Sequence, residues 1–250
     1  MLEPNKIYNE DCISGIHKRI GDDSVDCVIC DLPYCGVVGA DFDNQWNNAD
    51  EYLQWVGELV AEYARVLKPG GSAFLFTSRQ MNRGICSILD KHLTEKRIVI
   101  WARKRSFNAT RGHALASGYE PIAYYVKDGG EPTFNNIKVK PDTKRKEYTE
   151  GTLKDGVCLS DVWSDIPALP HNSKEKTPHP TQKPVKLIER IVEISTNEGD
   201  VVLDGCIGSG TTAIACIRKK RNYIGFELDE GYFGIAKERI NNEKSLVKLF

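Results

Sequence analysis

Apolar residues recur along this chain in two rhythms. Short runs of β-forming residues end abruptly in polar or acidic positions, and longer stretches repeat apolar positions at intervals of three and four. The short runs are Lys6 to Asn9 before Glu10-Asp11, Ser24 to Cys30 before Asp31, Ala73 to Thr77, Arg97 to Trp101, Pro121 to Val126, Val201 to Leu203 before Asp204, and Tyr223 to Phe226 before Glu227. Each predicts a strand. Ile13, Ile16 and Ile20 share one helical face. Leu53, Val56, Val60, Tyr63 and Leu67 mark an amphipathic helix that Lys68-Pro69-Gly70-Gly71 stops. Residues 81–91 read as a helix. Leu187, Ile188, Ile191 and Val192 mark the buried face of another, with Pro184 suited to its first turn. A helix over 230–241 closes the pattern. Strands alternating with helices predict an α/β domain with a mostly parallel sheet. Ligands on such sheets bind beyond the carboxyl ends of the strands, so Asp11, Asp31, Thr77, Asp204 and Glu227 are placed to line one crevice.

The stretch from Val201 to Cys216 reads as a buried strand, a glycine-rich turn and a helix start. Glycines there let the backbone approach a ligand, and the helix start offers unpaired N–H groups. About 20 residues beyond the turn, Glu227 ends the next strand, where a carboxylate suits two ribose hydroxyls. Three ligands compete for this unit. Gly205 to Thr212 has the spacing of a phosphate loop, but Thr211 stands in the place of its lysine. Gly208 to Ala213 fits a dinucleotide turn. S-adenosylmethionine (SAM) has the ribose but no pyrophosphate. The turn by itself leaves the choice open, and a ligand-free glycine turn is the bland alternative.

Composition narrows the setting. The 250 residues suit one large domain with room for an inserted subdomain. Lysine and arginine number 34 against 35 acids, so any basic surface must be local. No apolar run reaches membrane-spanning length and no signal peptide is read, so a cytoplasmic protein with no membrane partner is expected. The eight cysteines follow no disulfide framework, which fits a reduced compartment. Cys27 and Cys30 are three apart on a strand, which puts them on opposite faces, so they read as core thiols rather than a metal or redox pair. No cluster has metal-ligand spacing, and no metal is expected.

A second constellation stands at the end of the Ser24 to Cys30 strand. Asp31 is an acceptor and potential base. Pro33 holds Leu32 extended and so aims its carbonyl, and Tyr34 adds a flat face. Two acceptors beside a ring would hold the exocyclic amino group of a planar base. An ordinary strand-to-turn junction explains the tetrapeptide about as well.

Taken together, these segments resemble the DNA amino-methyltransferases. Asp31-Leu32-Pro33-Tyr34 is similar to their Asp-Pro-Pro-Tyr motif. Asp204 to Thr212 resembles their SAM motif, Asp-Pro-Phe-x-Gly-Ser-Gly-Thr-Thr, and His179 to Pro184 resembles the segment that precedes it. Lys68 to Gly71 and Asp161-Val162-Trp163 also have counterparts there. The resemblance covers nearly the whole chain outside residues 128–160, with the catalytic motif first and the cofactor motif last, the permuted order of the β group. It implies a Rossmann-like fold with a mostly parallel seven-stranded sheet and helices on both faces. Residues 1–127 would form the catalytic half, 128–160 a target-recognition insert and 161–250 the SAM-binding half. Leu32 replaces the first proline of the catalytic motif, and Gly205-Cys206 replaces Pro-Phe.

The resemblance also implies roles. Asp204, Gly208, Ser209 and Gly210 would form the SAM turn, with Thr211 near the methionine end. Glu227 would bind the ribose, Asp11 would lie near the adenine, and Lys183 and Pro184 would wall the pocket. Asp31, the Leu32 carbonyl, Pro33 and Tyr34 would hold the target base, flipped out of double-stranded DNA. DNA contacts are expected from Arg103, Lys104, Arg105, Asn108 and Arg111, and from Lys144, Arg145 and Lys146, because a near-neutral chain needs clustered charge to bind phosphate. A homodimer is compatible with this scheme. The expected reaction is methylation of adenine N6. Its alternatives are cytosine N4, a DNA-binding protein that kept the fold and lost turnover, and a nicotinamide enzyme using the Gly208 turn.

Overall fold

The computed structural model describes residues 3–36, 43–107, 117–140 and 155–247. Its main sheet is assembled from strands distant in sequence. They are β1 (Lys6–Tyr8), β2 (Val25–Asp31), β3 (Leu67–Phe76), β4 (Thr94–Phe107), β5 (Ser117–Val126), β8 (Val162–Trp163), β9 (Val201–Asp204) and β10 (Asn222–Phe226). Their order is β1-β10-β9-β2-β3-β5-β4-β8. The sheet is parallel except where β5 pairs antiparallel with β3 and β4. The seven strands expected become eight, because Val162 and Trp163 add a two-residue edge beside Ile100 and Trp101. Two residues carry no periodicity, so the pattern could not announce them.

β2 sits between β9 and β3, and its apolar run is buried on both faces, as a central parallel strand requires. Alternate side chains sort to opposite sides. Cys27 and Ile29 join a core with Phe74, Trp101 and Ile122. Val28 and Cys30 join the other, with Tyr52, Tyr63 and Leu203. The two cysteines thus lie on opposite faces, and burial pushes the Cys27 thiol up to about 12. Helices α1 (Cys12–Arg19), α2 (Ala49–Val66) and α3 (Asn82–Leu89) cover the second face. The first face is covered by α4 (Val185–Ser195) and α5 (Thr211–Arg218), with Ile240 of α6 (Glu230–Val247).

Local chemistry sets the element ends. Asn48 caps α2 by accepting from the Glu51 N–H at 3.0 Å. The helix stops at Val66, and Leu67, expected as its last apolar position, begins β3. Register passes from Val25 opposite Leu67 to Cys27 opposite Ser72, so Lys68 to Gly71 bulge out of the strand. Gly70 has φ +81° and donates to the Lys127 carbonyl at 2.8 Å.

The segment expected as an insert is partly tied to the core. Asn135 Nδ2 donates to the carbonyls of Glu193 and Thr196 at 2.9 Å, at the C-terminal end of α4. Strand β6 (Lys138–Val139) pairs with β7 (Val157–Cys158) in a separate two-stranded sheet. Lys144, Arg145 and Lys146 lie outside the described residues. Among the described residues, no helix is long and apolar enough to cross a membrane.

Candidate active site

Three strand ends meet beyond the sheet. β2 ends in Asp31, β9 in Asp204, and Glu227 follows β10. Two cavities open there. The larger has about 690 Å³ of free space, part of it open to solvent, and is lined by Asp11, Asp31, Leu32, Pro33, Trp55 and Glu227 among others. The smaller has about 360 Å³ of free space, part of it open to solvent, and takes in Lys183, Asp204, Gly208, Ser209 and Thr211. Asp31, His179, Thr181 and Cys206 belong to both walls. The crevice inferred from strand ends therefore exists for Asp11, Asp31, Asp204 and Glu227. Phe76 takes the place expected of Thr77, whose hydroxyl instead bonds Asn82 Oδ1 at 2.7 Å.

The tetrapeptide after β2 is held from several sides. Tyr52 of α2 donates its hydroxyl to the Pro33 carbonyl at 2.7 Å. Buried Asp43 accepts the Tyr34 N–H on its carboxylate, and its own carbonyl accepts from Gly36 N at 2.7 Å. Leu32, 1% exposed, packs into the α2-side core, so the leucine that stands for a proline gains apolar burial.

Asp31 is the centre of a buried polar network. Its Oδ2 accepts from Lys183 Nζ at 2.7 Å and its Oδ1 from the Tyr34 hydroxyl at 3.0 Å. Lys183 also donates to the Tyr34 hydroxyl at 2.6 Å and to the Thr181 carbonyl at 3.2 Å. Glu120 of β5 completes the ring, 3.2 Å from the Tyr34 hydroxyl and 3.4 Å from Lys183 Nζ. Arg103 of β4 holds Glu120 at 2.7 Å and Ser117 Oγ at 3.0 Å. Burial raises the Asp31 carboxyl from its ordinary value, and the Lys183 charge pulls against that rise. Burial disfavours the Lys183 ammonium, but Asp31 and Glu120 outweigh it and raise its pKa. Lys183 thus lines the smaller cavity, and its charge is directed at Asp31 and the Tyr34 hydroxyl. The Tyr34 ring is 9% exposed with its hydroxyl in this network.

The glycine turn is fixed by backbone geometry. Gly208 has φ +53°, and a Cβ there would meet His179 Nε2 at 2.9 Å. Gly210, at φ +83°, is the N-cap of α5 and lies against Ala236. Arg239 of α6 donates to the Ser209 carbonyl at 2.6 Å. Asp204 Oδ2 accepts from Thr212 Oγ1 at 2.5 Å, and burial pushes its carboxyl up to about 7. Burial also lowers the His179 imidazole to about 4, so it is neutral near pH 7. Glu227 spans the site by accepting from Gly208 N and Asp229 N, both at 2.9 Å. Asp11 caps α1 through Ser14 N at 2.9 Å. Pro184 caps α4 one residue before its first turn.

Gly205, which stands where the resembled motif has its proline, has a structural explanation; nothing in the structure explains Cys206 in place of the phenylalanine. A Cβ on Gly205 would come within 2.2 Å of the Tyr63 hydroxyl. Tyr63 of α2 therefore fills the space that a side chain at 205 would take.

Of the residues expected to contact DNA, Arg103 is mostly buried and its guanidinium is committed to Glu120 and Ser117 rather than to the surface. Lys104 and Arg105 continue β4. Asn108 and Arg111 lie outside the described residues. The sequence gives Glu120 and Asp43 no part in the site, and it marks Tyr63 only as an apolar helix position. The one signal for Glu120 is an acid at the mouth of an apolar strand.

Comparison with known proteins agrees with this geometry. The family model N6_N4_Mtase, described as DNA methylase, matches residues 25–238. The type II methyltransferase M.BamHI of Bacillus amyloliquefaciens is 35% identical over 256 residues, covering 98% of this chain and 59% of that protein. The DNA adenine methyltransferase YhdJ of Escherichia coli (strain K12) is 32% identical over 251 residues, covering 96% of this chain and 83% of that protein. Among solved structures, the M1.HpyAVI–SAM complex has a TM-score of 0.67 at 28% identity, covering 94% of this chain and 98% of that one. Matched over most of its length by the family model and by relatives above 30% identity, the chain belongs to the DNA methylase family.

Proposed function

We propose that this chain transfers a methyl group from SAM to the N6 amino group of adenine in double-stranded DNA, acting in the cytoplasm on a base flipped out of the helix. The observation that carries this reading is the position of Asp31, shared by the wall of the larger cleft, which Asp11 and Glu227 also line, and the wall of the glycine-turn cavity. The residues present fit SAM. The larger cleft is concave, open to solvent on one side, and lined by apolar and aromatic side chains with a few convergent acids, as small-molecule sites are. Glu227 presents a carboxylate suited to a ribose diol, and the Gly208 backbone leaves no room for a side chain. Asp204, Ser209 and Thr211 would face the amino-acid end, and Asp11 the adenine.

SAM supplies an electrophilic methyl group, and the protein supplies position and charge. An exocyclic amino nitrogen is a poor nucleophile because its lone pair is delocalised into the ring. Hydrogen bonds from that amino group to Asp31 and to the Leu32 carbonyl favour a more tetrahedral nitrogen. Asp31 then holds the proton released on methylation, with no covalent enzyme intermediate. Extracting the base costs a few kcal/mol of stacking. The basic positions Lys104, Arg105, Arg111, Lys144, Arg145 and Lys146, together with the amide Asn108, are proposed to contact DNA, with phosphate contacts setting affinity and base contacts setting sequence choice.

Incubation with methyl-labelled SAM and mixed-sequence DNA, followed by digestion to nucleosides, tests the assignment. Labelled N6-methyladenine is expected. Label in N4-methylcytosine would move the activity to cytosine, and no labelled nucleoside would leave a DNA-binding protein without turnover. A second expectation concerns the ribose partner. Glu227→Ala should weaken SAM binding by roughly tenfold, the worth of about one charge-assisted hydrogen bond. Calorimetry on the folded variant reads this directly, and unchanged affinity removes Glu227 from the ribose.

A further inference from the structure

The polar network around Asp31 contains more acid than holding a base requires. Tyr34 has one hydroxyl proton and two carboxylate neighbours, Asp31 Oδ1 at 3.0 Å and Glu120 Oε2 at 3.2 Å. Lys183 Nζ lies 2.6 Å from the same hydroxyl oxygen and would stabilise negative charge on it. Arg103 pins the other Glu120 oxygen at 2.7 Å. Two acids and two basic groups balance in charge, so a proton arriving on Asp31 leaves the buried network one positive charge in excess until it is passed on.

Building on the methyl-transfer reading, we propose that Glu120 is the far end of a proton relay. It receives, through the Tyr34 hydroxyl, the proton that methylation leaves on Asp31. The O–H bond on Asp31 breaks as one forms on the Tyr34 oxygen. The original Tyr34 O–H breaks as one forms on Glu120. Asp31 is again a carboxylate, Glu120 is a neutral acid that passes its proton to solvent, and nothing is oxidised or reduced. Glu120 acts through Tyr34 and is a positioning residue, not one that touches the base. The need for such a path follows from the site itself. With the base in place Asp31 is closed from water on that side, and Lys183 beside it disfavours a lingering proton.

Glu120→Gln keeps the shape and cannot take the proton. Steady-state turnover should fall at least about tenfold, while SAM affinity by calorimetry stays within about twofold of wild type. Formate, a carboxylate small enough to reach the site, should restore much of the loss and leave wild-type turnover unchanged. The acidic limb of the rate profile should also move to lower pH, because the Glu120 charge holds the Asp31 carboxyl up. The groups that set this limb are Asp31 of β2, Glu120 of β5, Arg103 of β4, Lys183 before α4, and Tyr34, with Asp43, Asp204 and His179 around them. Glu120→Asp should recover part of the rate.

Wild-type turnover in Glu120→Gln, or a loss that formate does not relieve, overturns the relay and leaves the methyltransferase reading standing. A wild-type chain that methylates no nucleoside overturns that reading and the relay with it. Where Glu120→Gln fails to fold by circular dichroism, Tyr34→Phe reads the same path. It removes the middle of the line, and turnover near the wild-type rate in that variant overturns the relay.

Discussion

Asp31→Asn is expected to lose methyl transfer by about 10²–10⁴-fold while binding SAM nearly as tightly as the wild type. The substitution keeps the size of the side chain and one carbonyl acceptor, so the strand end and its turn stay in place. It removes the second anionic oxygen, the one that Lys183 holds at 2.7 Å, and with it the ability to take up a proton. Glu227, Gly208 and Asp204 are untouched, and they form the part of the cavity assigned to the cofactor. Calorimetry with SAM and a single-turnover assay on the same preparation separate the two quantities. A parallel loss of SAM affinity and turnover would place Asp31 in cofactor binding or folding instead.

Lys183→Met is expected to act on both stability and pH dependence. Lys183 is 6% exposed, and removing it leaves Asp31 and Glu120 facing the Tyr34 hydroxyl with no ammonium between them. Breaking a buried pair from one side costs about 3–5 kcal/mol. Chemical unfolding monitored by circular dichroism should show a loss of that order at pH 8. The Asp31 carboxyl, already raised by burial, then loses the partner that pulls it down. Its pKa rises further, so the acidic limb of the activity profile should move to higher pH, opposite to the shift expected for Glu120→Gln. Stability carries the same sign. A carboxyl whose folded pKa is raised favours folding below its unfolded value, and that advantage is lost as pH rises through the folded value. The variant should therefore regain part of its stability on acidification through that window. A stability deficit that does not change between pH 4 and pH 8 would show that the missing ammonium was not controlling the carboxylates.

The features most legible in the sequence were those written in one stretch of chain. Apolar runs that stop at Asp31, Asp204 and Glu227 marked strand ends, and the parallel sheet gathers those ends at one edge. The offset between Cys27 and Cys30 placed them on opposite faces because side-chain direction alternates along a strand. Partners distant in sequence were not legible. Lys183 meets Asp31 across 152 positions, and Glu120 meets Tyr34 across 86, and nothing local to either residue encodes its partner. Arg103 stands in a basic cluster and so reads as a DNA contact, yet Glu120 draws it inward. Tyr63 read as an apolar helix position, and it is one. Its hydroxyl also fits against Gly205, which explains a glycine that looked like a lost proline.

The strand order has a consequence for how the chain is made. β1 pairs with β10, Lys6 opposite Ile224, and β9 fills the place between β10 and β2. During synthesis the first strand therefore has no neighbour until nearly all of the chain has emerged, an interval on the order of tens of seconds at ribosomal speed. Throughout that time β2, buried on both faces in the finished protein, lacks β9 along one edge. The turn from Asp31 to Tyr34 is made early, but the sheet that holds it closes only once β9 and β10 have been made. Such long-range pairing slows folding and leaves apolar edges open to other chains. Overexpression should therefore favour aggregation unless synthesis is slowed or chaperones occupy the waiting edge.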